Sequence, residues 1–272
     1  MIGPTLLRFG NEEQKKEHLP KICRGEIRWC QGYSEPGAGS DLASLQTKAV
    51  REGDEFVITG TKVWTSYADQ ADWIFALVRD DSGGKKQEGI TFILIDMDDP
   101  GVAVSPIRLI SGKSPFCETH FTNVRVPVKN VIHEIGAGWT VAKALLGHER
   151  TGIGGIAESS RALTQVKQIA QRTQVGNSTL FDDRNFRTRL ARKEMRLRSI
   201  ELLQLRQRSA AQLGHAPGAE SSVLKIVGTE MQQETMELAM DAMGHNAMGW
   251  LDSPEDALPS YQQAIASQFN YL

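Results

Sequence analysis

Residues 29–41, from Trp29 to Asp41, read W-C-Q-G-Y-S-E-P-G-A-G-S-D. The stretch begins with strand character, because Trp29, Gln31 and Tyr33 alternate with smaller residues. It then breaks into Glu35-Pro36-Gly37-Ala38-Gly39-Ser40-Asp41. Pro36 fixes one backbone torsion and removes a donor. Gly37 and Gly39 permit positive φ and let a flat or charged ligand approach the main chain. Ser34, Ser40 and Asp41 add hydroxyls and a carboxylate. A polar loop at the end of a strand is a common place to hold a ligand, and a plain turn between two strands uses the same residue types.

Outward from this loop, residues 26–132 read as short strands separated by turns. They include Phe56–Thr59, Val63–Ser66, the continuous apolar run Trp73–Val78, Ile90–Ile95, Val102–Val104 and Cys117–Val126. Strands this closely spaced, with no helix between them, predict an antiparallel barrel or sandwich. Before them, Asn11 to Cys23 predicts a helix with an Asn N-cap, acidic residues at its start and a Gly25 stop. After them, helical spacing covers Ala137 to Gln171, Phe181 to Leu213 and Ala219 to Met243, with a fourth helix from Ser253 to the end. The expected fold class is α+β: a β-barrel or sandwich followed by an antiparallel helical bundle. The expected division is 1–25 as the remnant of a helical domain, 26–132 as the β-domain and 133–272 as an incomplete bundle. The abrupt start at Gly3-Pro4 and a last helix without a C-cap suggest a fragment of a longer chain.

The 272 residues carry a formal charge of −2, with 40% hydrophobic and 24% charged residues. That balance gives no global field for nucleic acid. No apolar run approaches the ~20 residues that span a bilayer. No leader is visible, and three scattered cysteines suit a reducing compartment, so the expected location is cytoplasmic. The histidines show no ligand spacing, so no metal is expected. Cys30 reads as a small buried residue.

Two other segments could carry chemistry. Glu149 falls on the apolar stripe of the first long helix, with Ala142, Leu145, Leu146, Ile153 and Ile156. A carboxylate there suits a general base of raised pKa, or else it pairs with Arg150 or a neighbouring helix. Gly147, Gly152, Gly154 and Gly155 lie beside it, and each costs roughly 1 kcal/mol in a helix, which suggests close approach of something bulky or tight helix packing. In Val63-Trp64-Thr65-Ser66, a strand would aim Trp64 and Ser66 the same way. A heteroaromatic ring could stack on one and bond to the other, or Trp64 could be a core residue. Arg184 to Arg208 holds eight arginines and one lysine. Interleaved leucines and isoleucines make it an ordinary solvated helix face rather than a nucleic-acid stripe.

Together these segments resemble the acyl-CoA dehydrogenase family of flavoproteins, over nearly the whole chain. The resemblance rests on Gly3-Pro4 through Leu19-Pro20, on Ser34 to Asp41, on Gly60-Thr61-Lys62-Val63-Trp64-Thr65-Ser66, on Phe121 to Pro127, and on His148-Glu149-Arg150. It implies an N-terminal helical domain, largely missing here, then a middle β-domain and a C-terminal bundle. It implies FAD, with Gln31, Gly32, Tyr33, Ser34, Trp64, Thr65 and Ser66 as its binding residues. It implies Ser40 and Arg150 on the acyl-CoA substrate, and Glu149 in an alternative position for the catalytic base. The implied reaction is α,β-dehydrogenation of an acyl-CoA thioester, the proton passing to the glutamate and hydride to flavin N5. An electron-transfer flavoprotein-type acceptor would take the electrons onward.

The sequence departs from the family pattern in three places, one of them Gly147, where the family carries an aspartate that bears on CoA contacts. The arginine and Phe-Gly turn that reach FAD pyrophosphate on a neighbouring subunit are absent from Gln174 to Asp183, and a Gln-to-Gly-Gly segment reads Asp241-Ala242-Met243-Gly244-His245. The resemblance therefore allows either a homo-oligomer or a heteromer with a second acyl-CoA dehydrogenase-like subunit. The alternatives are a catalytically silent partner subunit and a flavin monooxygenase on the same fold.

Overall fold

The computed structural model describes residues 1–80, 82, 84–110, 112–152, 155–214 and 220–248, with the fourth expected helix outside that range. The chain divides into two units, 1–146 and 147–272.

In the first unit, α1 (Ile2–Phe9) and α2 (Glu12–Arg24) precede the sheet. Helix α2 is delimited by its own side chains. Asn11 and Gln14 form a reciprocal capping box, and Gly25 closes the helix in the left-handed conformation. Helix α1 was not expected from Gly3-Pro4, yet a proline is tolerated in the first turn of a helix, where its missing N–H has no partner to lose.

The sheet has seven strands: β1 (Trp29–Gly32), β2 (Lys48–Glu52), β3 (Glu55–Ser66), β4 (Trp73–Arg79), β5 (Ile90–Asp96), β6 (Val102–Ile107) and β7 (Phe116–Pro127). Pairing is mainly antiparallel, β2 with β3, β3 with β7, β6 with β7 and β4 with β5. The exceptions lie at β4, which runs parallel to β1, with Trp29 opposite Trp73, and to β2, with Lys48 opposite Arg79. The continuous apolar character of β4 has a direct cause. Ile74, Ala76 and Val78 enter one core with Phe56, Ile58, Ile93, Ile95 and Phe121, while Phe75 and Leu77 enter another with Tyr33, Phe92, Leu94, Ile132 and Leu145. A strand buried on both faces needs no polar alternation.

Helix α3 (Gly138–Gly152) bridges the division, and its Val141, Ala142 and Leu145 belong to that second core. The expected continuous helix from Ala137 to Gln171 is instead two helices. The second, α4 (Ile156–Arg172), starts from Gly155 at φ 51°. Three glycines within four residues remove the helical preference there, and a left-handed Gly155 is a helix boundary rather than an interior position.

In the second unit a short hairpin, β8 (Gln174–Val175) and β9 (Ser178–Thr179), leads to α5 (Arg184–Gln212) and α6 (Glu220–Met243). Leu163, Val166 and Ile169 of α4, Phe186, Leu190, Leu197 and Ile200 of α5, and Leu224, Met231 and Leu238 of α6 form one core. The basic side chains of α5 are partly spent on the bundle itself. Arg196 bonds to Glu230 and Glu234, Lys193 to Glu234, and Arg189 to Asp241. Among the described residues, no helix is long and apolar enough to cross a membrane and no metal-binding group occurs.

Candidate functional site

The loop and the strand singled out in the sequence are joined in the first unit by a buried ion pair. Lys62 on β3 is fully buried, and its Nζ donates to Glu35 Oε1 at 2.8 Å and to the Tyr33 carbonyl at 3.2 Å. The Glu35 carboxylate also accepts the Gln46 N–H at 2.6 Å and the Thr47 N–H at 2.9 Å. The Val63 N–H donates to the Ser34 carbonyl at 2.9 Å. Burial pulls the Lys62 ammonium down to about 8, against the pull of Glu35 in the other direction. Burial pushes the Glu35 carboxyl up, but Lys62 and the two amides outweigh it and hold it below the ordinary carboxylate range. Thus Glu35 braces the loop from inside. The sequence reading passed over both residues. The available signal was alternation, since Lys62 falls on the even-numbered positions of the strand that also carry Phe56 and Ile58.

Beyond Lys62 the strand is bulged. Lys62 pairs with Thr119 and Thr65 with Cys117, so two residues of β3 face one of β7. Trp64 sits in this bulge at φ 62° and is 56% exposed, its ring edge-on to Phe116 at 6.0 Å. A bulky residue in the left-handed region costs about 1–2 kcal/mol, and such strain gathers at ligand sites. Tyr67, three residues on, has φ 53° and is also exposed. It was not read from sequence. Because asparagine tolerates this conformation better than tyrosine, Tyr67→Asn is expected to stabilise the protein by about 0.5–1 kcal/mol. A urea midpoint that rises with an unchanged slope would show it; a lower midpoint would mean that Tyr67 makes compensating contacts.

The expected cofactor residues divide into two groups. Trp64 and Ser66 are exposed and Ser34 and Gln31 half-buried, so their side chains are within reach of a ligand. Thr65, Tyr33 and Gly32 are buried. Tyr33 packs edge-on against Phe75 and Phe92, and a Cβ on Gly32 would meet Ile74 Cδ1 at 2.7 Å. Any contact of those three with a cofactor therefore runs through the main chain. Ser40 and Asp41 are exposed at the loop tip. An exposed indole face with a hydroxyl two residues along the same strand fits a flavin ring. The thiol of Cys30 is buried, and desolvation pushes it up to about 12.

In the second unit, Glu149 is half-buried on α3. It follows the buried Leu145 by one turn and Ala142 by two, so it shares their face. The Arg150 side chain lies outside the described part. Thr179 and Asp182 close the end of the β8–β9 hairpin through a side-chain bond of 2.7 Å, and Asp183 caps α5. Asp241, in the segment that departs from the family pattern, accepts from Arg189 of α5.

The family profile "Acyl-CoA dehydrogenase, middle domain" matches residues 30–124, and "Acyl-CoA dehydrogenase, C-terminal domain" matches residues 136–265. Acyl-CoA dehydrogenase IpdE1 of Mycobacterium tuberculosis is 37% identical over 259 residues, 94% of this chain. Acyl-CoA dehydrogenase FadE26 of the same organism is 35% identical over 93% of this chain. The chain spans 65% of the length of each of these two relatives. Among solved structures, the Tcur3481-Tcur3483 steroid ACAD superposes with a TM-score of 0.87 at 35% identity, over all of this chain and 70% of that one. The ChsE4-ChsE5 complex of Mycobacterium tuberculosis gives 0.83 at 33% identity, over all of this chain and 71% of that one. With both profiles matched and relatives this similar along its whole length, the chain belongs to the acyl-CoA dehydrogenase family.

Proposed function

We propose that this chain carries the flavin wall and the proton-abstracting carboxylate of an FAD-dependent acyl-CoA dehydrogenase. The observation that supports this most is the strained, exposed Trp64, held beside Ser66 on a strand whose Lys62 fixes the Ser34 loop. FAD, when bound, supplies the two-electron acceptor. Trp64 offers a stacking face, and Ser66 and Ser34 offer hydrogen bonds to the polar edge of the ring. Glu149 takes the α-proton of the thioester. Ser40 contacts the CoA portion of the substrate, and Arg150 is a second substrate-contacting residue. An electron-transfer flavoprotein-type acceptor re-oxidises the enzyme.

We further propose a heteromer with a second acyl-CoA dehydrogenase-like subunit. Two solved relatives are named as pairs, Tcur3481-Tcur3483 and ChsE4-ChsE5. The residues that would grip pyrophosphate are replaced here, and Asp241 is tied to Arg189. One of those pairs is named a steroid ACAD, which places bulky steroid-CoA thioesters in the substrate panel beside linear ones. The test is the visible spectrum of the full-length protein, purified alone and co-expressed with its partner. A flavin band in the complex that bleaches anaerobically on adding a CoA thioester is expected. A flavin band that no thioester bleaches would sink the dehydrogenase reading and favour a silent subunit. A yellow single chain would sink the heteromer.

A further inference from the structure

We propose that the buried Glu35–Lys62 pair is the positioning element of the flavin site, fixing the separation between Ser34 and the Trp64–Ser66 wall. This inference rests on the flavin reading above. Its geometric basis is the connectivity around Ser34. The carbonyl before it, that of Tyr33, is held by Lys62 Nζ at 3.2 Å; its own carbonyl is held by the Val63 N–H at 2.9 Å; and the side chain after it, that of Glu35, is held by Lys62 at 2.8 Å. Residues 33–35 are thus bonded one after another to residues 62 and 63, and Trp64 is the next residue. Neither wall can slide relative to the other without breaking one of these bonds.

The frame behind the pair is equally short of slack. Glu35 reaches on to the Gln46 and Thr47 amides, and the Thr47 carbonyl accepts the Arg79 N–H of β4 at 2.7 Å. Gly60 lies so close to Thr47 that a Cβ there would meet Thr47 Oγ1 at 2.6 Å. A buried ion pair is a weak source of stability, because desolvating both charges offsets most of their attraction. Its directional bonds are what an apolar pair cannot replace, and a site tolerates only about 0.5 Å of misplacement. Glu35 and Lys62 therefore serve placement, and touch the cofactor only through the residues they hold.

The test uses full-length protein, with its partner subunit wherever the wild type needs it to bind flavin, and FAD as the probe. The double variant Glu35→Gln with Lys62→Met removes both charges together. It is expected to melt cooperatively while its FAD dissociation constant rises by about tenfold or more. The fluorescence of its bound flavin is expected to rise as well, because Trp64 no longer stacks closely enough to quench it. A merely structural role would not change that fluorescence. An FAD affinity and bound-flavin fluorescence equal to wild type would overturn the proposal. Should the double variant not fold, Glu35→Asp carries the same test, since it keeps the charge and draws it back from Lys62 by one methylene. A three- to tenfold weaker affinity, on the order of 1 kcal/mol, supports the inference, and an unchanged one overturns it. A wild-type protein that binds no FAD alone or with its partner would remove the flavin reading and this inference together.

Discussion

Glu149→Gln is expected to slow acyl-CoA oxidation by about 10²–10⁴-fold, with FAD content unchanged and KM shifted little. Glutamine keeps the size and one acceptor oxygen of the side chain but cannot take a proton. A loss in kcat with an unmoved KM would mean that the group acts in the transition state rather than in uniform binding. The physical case for Glu149 begins with its placement. It lies half-buried on α3, one turn after the buried Leu145 and two after the buried Ala142 on the same helix face. The informative assay is α-proton exchange in deuterated solvent with no electron acceptor present. That exchange reports proton removal alone, so it separates a lost base from a misplaced flavin. Wild-type protein is expected to exchange the α-proton of a bound thioester, and the Gln variant is not. Exchange retained in the variant at a rate within a few-fold of wild type would reassign the base to a carboxylate elsewhere in the full-length protein.

The parts of this structure that were legible in the sequence are those governed by local chemistry. Asn11 and Gly25 delimit α2 because a cap is a contact between residues three or four apart. Trp73 to Val78 announces a strand buried on both sides through composition alone. Trp64 and Ser66 are both exposed, on either side of the buried Thr65. What escaped depended on distant partners or on backbone torsions. Strand β1 lies parallel to β4, 44 residues away at Trp29 and Trp73, and no local pattern specifies that pairing. Thr65 sits between two exposed neighbours, yet its side chain points into the core, so motif membership did not distinguish its side chain from theirs. The glycines before α4 were read as interior helix positions, close to something bulky or in tight helix packing, whereas Gly155 takes a left-handed torsion as the N-cap of a new helix. Lys62 was assigned no role because its partner, Glu35, lies 27 residues earlier.

That hidden partnership carries the largest expected effect on stability. Lys62→Met alone is expected to destabilise the protein by about 3–5 kcal/mol, because it leaves the Glu35 carboxylate 8% exposed and without its cation. For a unit of 146 residues this corresponds to a fall in Tm of roughly 10 °C or more. Adding Glu35→Gln to Lys62→Met is expected to recover part of that loss. Recovery stays incomplete for a specific reason. The carboxylate presents one oxygen to the Gln46 N–H and the other to the Thr47 N–H, whereas a glutamine must turn its own NH₂ toward one of them. One buried donor is left unmatched, at about 1–3 kcal/mol. The acid limb gives an independent check on the sign. The folded-state pKa of Glu35 lies below its ordinary 4.5, so its contribution is fully present above that value and is lost as pH falls through the folded value. Wild type should therefore lose stability more steeply on acidification than the double variant, which has no carboxylate there to protonate. Chemical denaturation of the two proteins from neutral pH down through the carboxylate range measures the difference directly. Parallel acid limbs would mean that Glu35 keeps an ordinary pKa. The strength assigned to its bonds with Lys62, Gln46 and Thr47 would then be wrong, however short those bonds are.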